Sequence, residues 1–273
     1  MLNKYLNNVR QKRPLVHNIT NYVTVNDCAN ILLACGGAPI MSDDSEEVEE
    51  ITGICGGLNI NIGTLNKRTI PAMILAGKKS NELGHPVVLD PVGAGASSLR
   101  TSTAYKLMEE VQFDVIRGNI SEIKTLADGT GTTKGVDADM ADSVTGENIK
   151  SVVNFAKAFA AKIKSIVAIT GAIDIVADAD KAYCIYNGHP MMSSVTGTGC
   201  QLSALVAAYV VANPDNKLEA VAAAVCAMGV CGEIAYDRLS EFDGNASYGK
   251  YIIDAIYHLD GETLDTKAKY KVM

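Results

Sequence analysis

The sequence predicts an α/β fold with a mostly parallel sheet and helices packed on its faces. Short β-rich runs alternate with longer helical stretches almost from end to end, which is typical of parallel sheets. Of the 273 residues, 48% are hydrophobic and 20% are charged, enough apolar material for a large core. No repeat or Pro-rich break divides the chain, so we expect one domain over residues 1–273.

The candidate strands are short runs rich in Val, Ile and Leu. They cover residues 38–41, 58–62, 86–90, 114–117, 166–170, 174–177 and 182–186. The last two runs are separated only by the turn-like sequence of residues 178–181. We therefore expect these two strands to form a small antiparallel hairpin at the edge of the sheet.

The candidate helices are longer segments between these strands. They cover residues 22–35, 45–55, 67–83, 101–111, 121–127, 145–161, 199–211, 218–239 and 247–258. The longest apolar run, residues 220–232, is well short of the about 20 residues that a membrane span needs, so it predicts a buried helix. Residues 128–142 lack apolar periodicity and are expected to form a mobile loop.

The charge balance and the cysteines exclude several classes of function. A net charge of −7 gives no electrostatic attraction to nucleic acid or to an anionic membrane. The amino-terminal residues lack the continuous apolar stretch of a signal peptide. Seven cysteines without a C-x-x-C pair fit a reducing compartment better than disulfides or a zinc site. We therefore expect a cytoplasmic location.

Polar residues at two predicted strand ends are candidates for a ligand site, because ligands of parallel sheets bind beyond the carboxyl ends of strands. Asp90 ends one strand and begins the sequence Asp-Pro-Val-Gly-Ala-Gly, which indicates either a ligand or a tight Asp-Pro turn. The next strand leads into Arg117-Gly-Asn119-Ile-Ser-Glu122. Arg117 can bind a phosphate, and Asn119 with Glu122 can either hold magnesium or cap a helix as a capping box.

The sequence Gly197-Thr-Gly199-Cys200 runs directly into an apolar helix. Its glycines free backbone N–H groups at a helix amino terminus, which predicts an anion site. The alternative is a plain entry loop with Cys200 as a small buried apolar residue. Near the amino terminus, His17 and Asn21 either recognise a small polar heterocycle or belong to a capped turn.

The order of these segments indicates phosphoryl transfer on an α/β fold. A strand-end carboxylate is followed by an Arg-Gly-Asn-x-x-Glu segment and then by a glycine-rich helix start. No G-x-x-x-x-G-K-[ST] sequence occurs, which excludes a P-loop, and no G-x-S-x-G elbow occurs, which argues against an α/β-hydrolase.

On these segments the sequence resembles the hydroxyethylthiazole kinase family of the ribokinase-like superfamily. The blocks that carry the resemblance are residues 15–21, 37–41, 61–64, 89–95, 117–122, 168–171 and 195–200. The resemblance implies a three-layer ribokinase-like fold and phosphorylation of the hydroxyl of 4-methyl-5-(2-hydroxyethyl)thiazole with ATP and Mg2+. The product would be the thiazole phosphate that is used to build thiamine phosphate.

The resemblance also implies roles for individual residues, carried over by position. The implied residues are Asn21, Met41 and Gly197 for the thiazole alcohol, Arg117 and Thr170 for ATP, Asp90 and Glu122 for Mg2+, and Cys200 with Gly197 and Gly199 for catalysis. We expect the helix amino terminus to favour the thiolate of Cys200, which orients the alcohol and gives modest help in proton transfer.

The family is typically a homotrimer with substrate sites at subunit interfaces, so Asn21 and Met41 are expected to act on a neighbouring subunit's Cys200. Acidic residues follow Met41 as Ser42-Asp43-Asp44, where the family often has a less acidic segment, and this leaves the substrate preference open. The alternatives are a ribokinase-like kinase of another heterocyclic alcohol, of the hydroxymethylpyrimidine or pyridoxal type, and a non-catalytic metabolite-binding protein.

Overall fold

A single sheet with helices on both faces organises the residues that the computed structural model describes, 1–128 and 144–273. The strands are β1 (Leu15–Ile19), β2 (Ala38–Met41), β3 (Gly57–Asn61), β4 (Val87–Asp90), β5 (Val115–Asn119), β6 (Ile166–Thr170), β7 (Asp174–Ala177), β8 (Ala182–Ile185) and β9 (Tyr270–Val272). Their order across the sheet is β2-β1-β3-β4-β5-β6-β7-β8-β9. Strands β1 to β6 pair in parallel, and β6 to β9 pair antiparallel.

The helices connect these strands and cover both faces of the sheet. They are α1 (Asn3–Lys12), α2 (Val25–Cys35), α3 (Val48–Ile54), α4 (Thr69–Leu83), α5 (Ser98–Glu110), α6 (Ile120–Asp128), α7 (Ile149–Ile163), α8 (Thr198–Ala212), α9 (Lys217–Asp237), α10 (Asn245–His258) and α11 (Gly261–Lys267). One core layer contains the buried faces of α1, α2 and α8 to α11, and the other contains those of α3 to α7. The result is the three-layer α/β arrangement that the sequence predicts.

The predicted antiparallel hairpin at the edge of the sheet is confirmed, and one further strand that the sequence did not predict extends it. Strands β7 and β8 form the hairpin, and the carboxyl-terminal strand β9 then pairs with β8 and forms the edge. The strand β9 is only three residues long, and it carries Lys271 in place of an apolar run. Such a short, partly charged segment gives no strand pattern in the sequence, although it is a common way to protect a sheet edge.

Strand β1 is absent from the predicted strands although it lies inside the sheet, between β2 and β3. Its centre is His17 and Asn18, both of which are buried. Polar residues in the middle of a buried strand break the apolar run on which strand prediction depends. The other predicted segments are found with shifts of a few residues at their ends, and α2 begins at Val25, which leaves Tyr22 and Val23 exposed in a turn.

Helices α8 and α9 are apolar on all sides because they are buried on all sides. By length and composition the helical stretch Pro214–Asp237 could cross a membrane, but 83% of its apolar window is buried inside the protein. It is therefore the buried helix that residues 220–232 predict. The loop predicted over residues 128–142 lies outside the described residues, apart from Asp128 at the end of α6.

Close packing of α8 on β3 requires a glycine, and this gives a test of the fold. A Cβ atom on Gly57 would lie 2.4 Å from Cγ2 of Val211, whereas a Cβ atom on Gly53 would have no neighbour within 4 Å. We expect Gly57→Ala to lower the free energy of unfolding by about 1 to 3 kcal/mol through overpacking. Gly53→Ala, within α3, should leave it unchanged or raise it by up to about 1 kcal/mol. Urea unfolding of both variants measures the difference, and equal stabilities would contradict this packing.

Candidate active site

The candidate site begins with a row of polar side chains under α8, at the carboxyl ends of adjacent strands. Asn61 ends β3 and pairs in register with Asp90, which ends β4, and Arg117 lies on the next strand, β5. Side chains alternate between the faces of a strand, so the neighbouring Leu89 and Ile116 belong to the opposite core layer. The three polar groups are therefore buried between the sheet and α8.

Asp90 is fully buried and is surrounded by donors. Nη1 of Arg117 lies 3.1 Å from both of its carboxylate oxygens. Nδ2 of Asn61 and Oγ of Ser203, on α8, each donate to Oδ2 at 2.8 Å. A buried carboxylate is tolerated when an opposite charge and hydrogen bonds replace the lost water. Asp90 has both, and its contacts connect β4 to β3, β5 and α8.

Arg117 lies directly beneath the first turn of α8. Its Nη2 donates to Oγ1 of Thr170 at 2.9 Å, and a Cβ atom on Gly199 would lie 2.4 Å from Nη2. Its Nε is buried and has no hydrogen-bond partner among the described residues. Burial opposes the charge of the guanidinium, but Asp90 and Glu122 outweigh burial and raise the pKa of Arg117. A charged group with one unused N–H donor therefore faces this helix end.

The start of α8 is shaped by glycines. Gly197 has φ of +87°, a conformation that side chains disfavour, and a Cβ atom there would lie 2.2 Å from Cγ2 of Thr24. The N–H groups of the first helical turn have no acceptor within the helix and carry its positive end. Together with Arg117 they form a donor-rich, positive region that suits an anion such as a phosphate.

Cys200, in the first turn of α8, receives two amide donors. Nδ2 of Asn21 lies 3.1 Å from its Sγ, and Nδ2 of Asn61 lies 3.2 Å from the same atom. Asn21 belongs to the same chain as this Cys200. The expectation that Asn21 acts on a neighbouring subunit's Cys200 stays a prediction, and within one chain Asn21 already reaches Cys200.

The expected thiolate is wrong. Burial raises the pKa of Cys200, and the negative charge of Asp90 raises it further, while Thr24, Arg117 and Asn21 only partly oppose them. The sequence shows the helix amino terminus but not the depth at which the sulfur lies. Cys200 is therefore a neutral thiol at neutral pH.

Asn61 and Ser203 are site residues that the sequence did not single out as having a role. Asn61 lies 1% exposed, and its Oδ1 accepts hydrogen bonds from the N–H of Gly63 at 2.9 Å and from Asn21 at 3.1 Å. The available signal was the alternation of Asn59 and Asn61 with apolar residues in a predicted strand. This pattern places both amides on one face of the sheet.

Glu122 forms the capping box, one of the two possibilities that the sequence left open, and its role in holding magnesium stays a prediction. Its Oε2 accepts the N–H of Asn119 while Oδ1 of Asn119 accepts the N–H of Glu122, both at 2.8 Å, which is a reciprocal capping box. Its Oε1 accepts the N–H of Gly93 at 2.8 Å. Burial raises the pKa of Glu122, and so does Asp90. The two carboxylates therefore add negative charge to one buried region.

A cavity of about 630 Å³ adjoins this region. Part of its lining is polar, and Arg117 and Thr170 contribute to it. Another part is apolar and comes from Leu202 on α8 with Val225 and Met228 on α9. A cavity with a cationic, donor-rich part and an apolar part suits a ligand with a phosphate group and an aromatic base.

His17 is fully buried and both of its ring nitrogens have protein partners, which argues against its expected contact with a heterocycle. Its Nδ1 lies 3.0 Å from Oγ1 of Thr52, and its Nε2 lies 2.9 Å from the backbone oxygen of Ser42. Both ring nitrogens are therefore occupied by the protein. Met41, which precedes Ser42 and ends β2, is half-buried and packs against the core layer that contains α8.

Comparisons with known proteins agree on one family. The sequence model of the hydroxyethylthiazole kinase family matches residues 6–262. Hydroxyethylthiazole kinase of Clostridium acetobutylicum is 64% identical over 271 residues, 99% of each chain, and that of Clostridium beijerinckii is 52% identical over 97% of this chain and 95% of its own.

Solved structures give the same result. The structure of hydroxyethylthiazole kinase from Pyrococcus horikoshii OT3 superposes with a TM-score of 0.88 at 34% identity, over 100% of this chain and 98% of its own. Pyridoxal kinase from Staphylococcus aureus, in complex with ADP, has a TM-score of 0.64 at 15% identity over 95% and 97% of the chains. The second similarity is one of fold alone and agrees with the predicted α/β architecture.

The burial of His17 predicts a dependence of stability on pH. Burial lowers the pKa of His17 below its usual 6.5, so the folded state disfavours the protonated ring. The stability that the neutral ring provides is fully present above about pH 6.5 and is lost as the pH falls, because only the unfolded chain takes up the proton. The loss has a limit of about 1.4 kcal/mol per pH unit.

His17→Gln retains a donor for Ser42 and cannot be protonated. We expect its free energy of unfolding, measured with urea between pH 8 and pH 5, to fall less steeply below pH 6.5 than that of the parent. Parallel curves for the two proteins would show that His17 takes up its proton in the folded state.

Proposed function

The chain belongs to the hydroxyethylthiazole kinase family, and we propose that its site transfers the γ-phosphate of ATP to the side-chain hydroxyl of 4-methyl-5-(2-hydroxyethyl)thiazole. The product is the thiazole phosphate used in thiamine phosphate synthesis. One observation of the structure carries this assignment above all. It is the charged Arg117, with an unused Nε donor, beneath the glycine-rich start of α8.

We propose that ATP occupies the cavity beside Arg117. The guanidinium of Arg117 and the hydroxyl of Thr170 bind its phosphates, and the N–H groups of Gly197 to Cys200 receive the γ-phosphate. The apolar residues Leu202, Val225 and Met228 provide the surface for the adenine ring.

The thiazole alcohol is proposed to lie against Asn21, the backbone of Met41, and Gly197. Asn21 supports this placement because its amide contacts Cys200 at the start of α8. Gly197 supports it because it lies at the start of α8 beside Thr24, which also contacts Asn21. The alcohol then faces the γ-phosphate across the first turn of α8.

The carboxylates of Asp90 and Glu122 fit a magnesium ion. Each oxygen of Glu122 accepts one N–H and retains a second lone pair. Burial, and after it the charge of Asp90, raises the pKa of Glu122, and a bound cation would favour its ionised form. No group of three or more His, Cys, Asp or Glu residues within 1–128 and 144–273 forms a metal site. Mg2+ commonly uses one or two carboxylates and completes its shell with phosphates and water. When bound, Mg2+ supplies charge neutralisation at the phosphates.

In this arrangement the protein contributes mainly position and charge. Phosphoryl transfer has a loose transition state that needs alignment and neutralisation more than a strong base. Arg117 and the amides of Gly197, Gly199 and Cys200 stabilise charge on the transferred group. The neutral thiol of Cys200, already holding two amide donors, orients the alcohol and gives modest help as its proton leaves.

Three further properties are proposed with this function. Residues 1–273 form one kinase domain, which the shared sheet supports. The enzyme is a homotrimer with substrate sites at subunit interfaces, and the exposed Tyr22 and Val23 beside Asn21 offer apolar surface for such an interface. A cytoplasmic location is supported by the seven cysteines, all of which are free and buried.

The function is tested with the purified protein, ATP and Mg2+ and three alcohols. We expect phosphorylation of the thiazole alcohol and much slower phosphorylation of hydroxymethylpyrimidine and pyridoxal, measured as product by mass spectrometry. Removal of Mg2+ with a chelator should stop turnover. Preference for either other alcohol would assign a different kinase, and no product with any of them would indicate a binding protein.

Cys200→Ala tests the proposed role of the thiol in orienting the alcohol and assisting proton transfer. Because the thiol orients and assists but does not supply the main stabilisation, we expect kcat to fall by less than about 100-fold, the lower end of what a general base contributes. Cys55→Ala, a buried cysteine at the end of α3, serves as a control and should retain the parent rate. Complete loss of turnover in Cys200→Ala, with folding intact by circular dichroism, would contradict this role.

A further inference from the structure

Thr24 occupies the position that precedes α2, yet its hydroxyl does not cap the helix. A threonine there ordinarily accepts a hydrogen bond from a backbone N–H of the first helical turn. Here Oγ1 of Thr24 donates to Oδ1 of Asn21 at 3.1 Å. The side chain is 3% exposed, so this hydroxyl serves a buried neighbour and not the solvent.

The hydrogen bonds of Asn21 with Asn61 and with Thr24 together determine which end of its amide faces Cys200. Oδ1 of Asn61 accepts from the N–H of Gly63, which can only donate, so the atom of Asn21 that faces Asn61 must be Nδ2. That same Nδ2 lies 3.1 Å from Sγ of Cys200. The carbonyl end of Asn21 is then directed to Thr24, whose hydroxyl is the donor that satisfies it.

Cys28 orients the hydroxyl of Thr24. Burial raises the pKa of Cys28 to about 12, so its thiol keeps its proton. Sγ of Cys28 donates to Oγ1 of Thr24 at 3.8 Å, a length compatible with a weak sulfur donor. Because Oδ1 of Asn21 can only accept, the O–H of Thr24 is the donor of that contact, and the thiol of Cys28 donates to a lone pair of the same oxygen.

The methyl group of Thr24 contacts the other side of the same site. A Cβ atom on Gly197 would lie 2.2 Å from Cγ2 of Thr24, so the methyl group fills the space beside the left-handed turn at Gly197. One buried side chain thus contacts both Asn21 and Gly197. These are the two residues proposed to bind the alcohol end of the substrate.

We propose that Thr24 is a positioning residue of the alcohol site, whose hydroxyl fixes the amide of Asn21 against Cys200 while its methyl group packs against Gly197. This rests on the proposed function of the site. Loss of the hydroxyl leaves a buried carbonyl without a donor, which frees the Asn21 amide to turn away from Cys200. The effect falls on the alcohol and not on ATP, whose proposed contacts are Arg117 and Thr170.

A matched pair of variants separates the two parts of the side chain. Thr24→Val keeps the shape and the methyl group but removes the hydroxyl. Thr24→Ser keeps the hydroxyl but removes the methyl group. We expect Thr24→Val to lower kcat/KM for the thiazole alcohol and weaken its binding in calorimetry without nucleotide by about fivefold, with KM for ATP changed less than about twofold. Thr24→Ser should stay within about twofold of the parent in each measurement.

A double-mutant cycle shows whether Thr24 acts through Asn21. The effect of Thr24→Val on kcat/KM should disappear in an Asn21→Ala background, because the amide that it orients is gone. If Thr24 had only a structural role, the effect of Thr24→Val on kcat/KM would persist in the Asn21→Ala background and would parallel a loss of thermal stability. If Thr24→Val does not fold, Thr24→Ala against Thr24→Ser makes the same comparison, since both lack the methyl group and only the serine retains the hydroxyl.

Three results would overturn the proposal. They are equal losses in the valine and serine variants, a valine variant with the parent's kcat/KM, and an unchanged effect in the Asn21→Ala background. Each is read against a parent enzyme that phosphorylates the thiazole alcohol. A parent without that activity would refute the proposed function instead, so the two failures are distinct.

Discussion

The buried ion pair between Arg117 and Asp90 is the interaction on which the site depends. Two charges removed from water are tolerated only when their remaining polar atoms find partners, and the surrounding elements supply them. Asn61 and Ser203 donate to Asp90, and Thr170 accepts from Arg117. These contacts link β3, β4, β5, β6 and α8 at one point. Nε of Arg117 has no hydrogen-bond partner among the described residues, so the guanidinium keeps donor capacity beyond its contacts with Asp90 and Thr170.

The position of Arg117 in this ion pair also explains a glycine at the start of α8. Arg117 lies so close beneath the helix that a Cβ atom on Gly199 would be only 2.4 Å from its Nη2. On the other side, Thr24 takes the space beside Gly197. The sequence Gly197-Thr-Gly199 is therefore needed for approach of neighbouring side chains as well as for free backbone amides. The flexibility of an entry loop alone would not require glycine at Gly199, which lies inside the helix.

Much of the fold follows from the sequence because the central strands are apolar and buried on both faces, as in the run Ile166–Thr170, predicted with the bounds that the structure has. The proximity of Asp90 and Arg117 is predictable too, because the carboxyl ends of parallel strands lie at the same edge of a sheet. Burial by residues that are distant in the chain cannot be predicted from the sequence. The sequence hides that His17 is closed in by Thr52 and Ser42, and that the depth of Cys200 overcomes the helix amino terminus. Asn61 contacts Asp90 and Cys200, and Thr24 packs against Gly197, which are all distant in the chain.

We propose that the amides at the start of α8, together with Arg117, bind the γ-phosphate of ATP. The decisive measurement is a crystal structure with a nonhydrolysable ATP analogue, Mg2+ and the thiazole alcohol. We expect terminal phosphate oxygens about 3 Å from the N–H groups of the first turn of α8, a hydrogen bond to Arg117, and the alcohol oxygen on the opposite side of the phosphorus beside Cys200. A terminal phosphate bound away from this turn, with Arg117 making no contact to it, would refute this assignment.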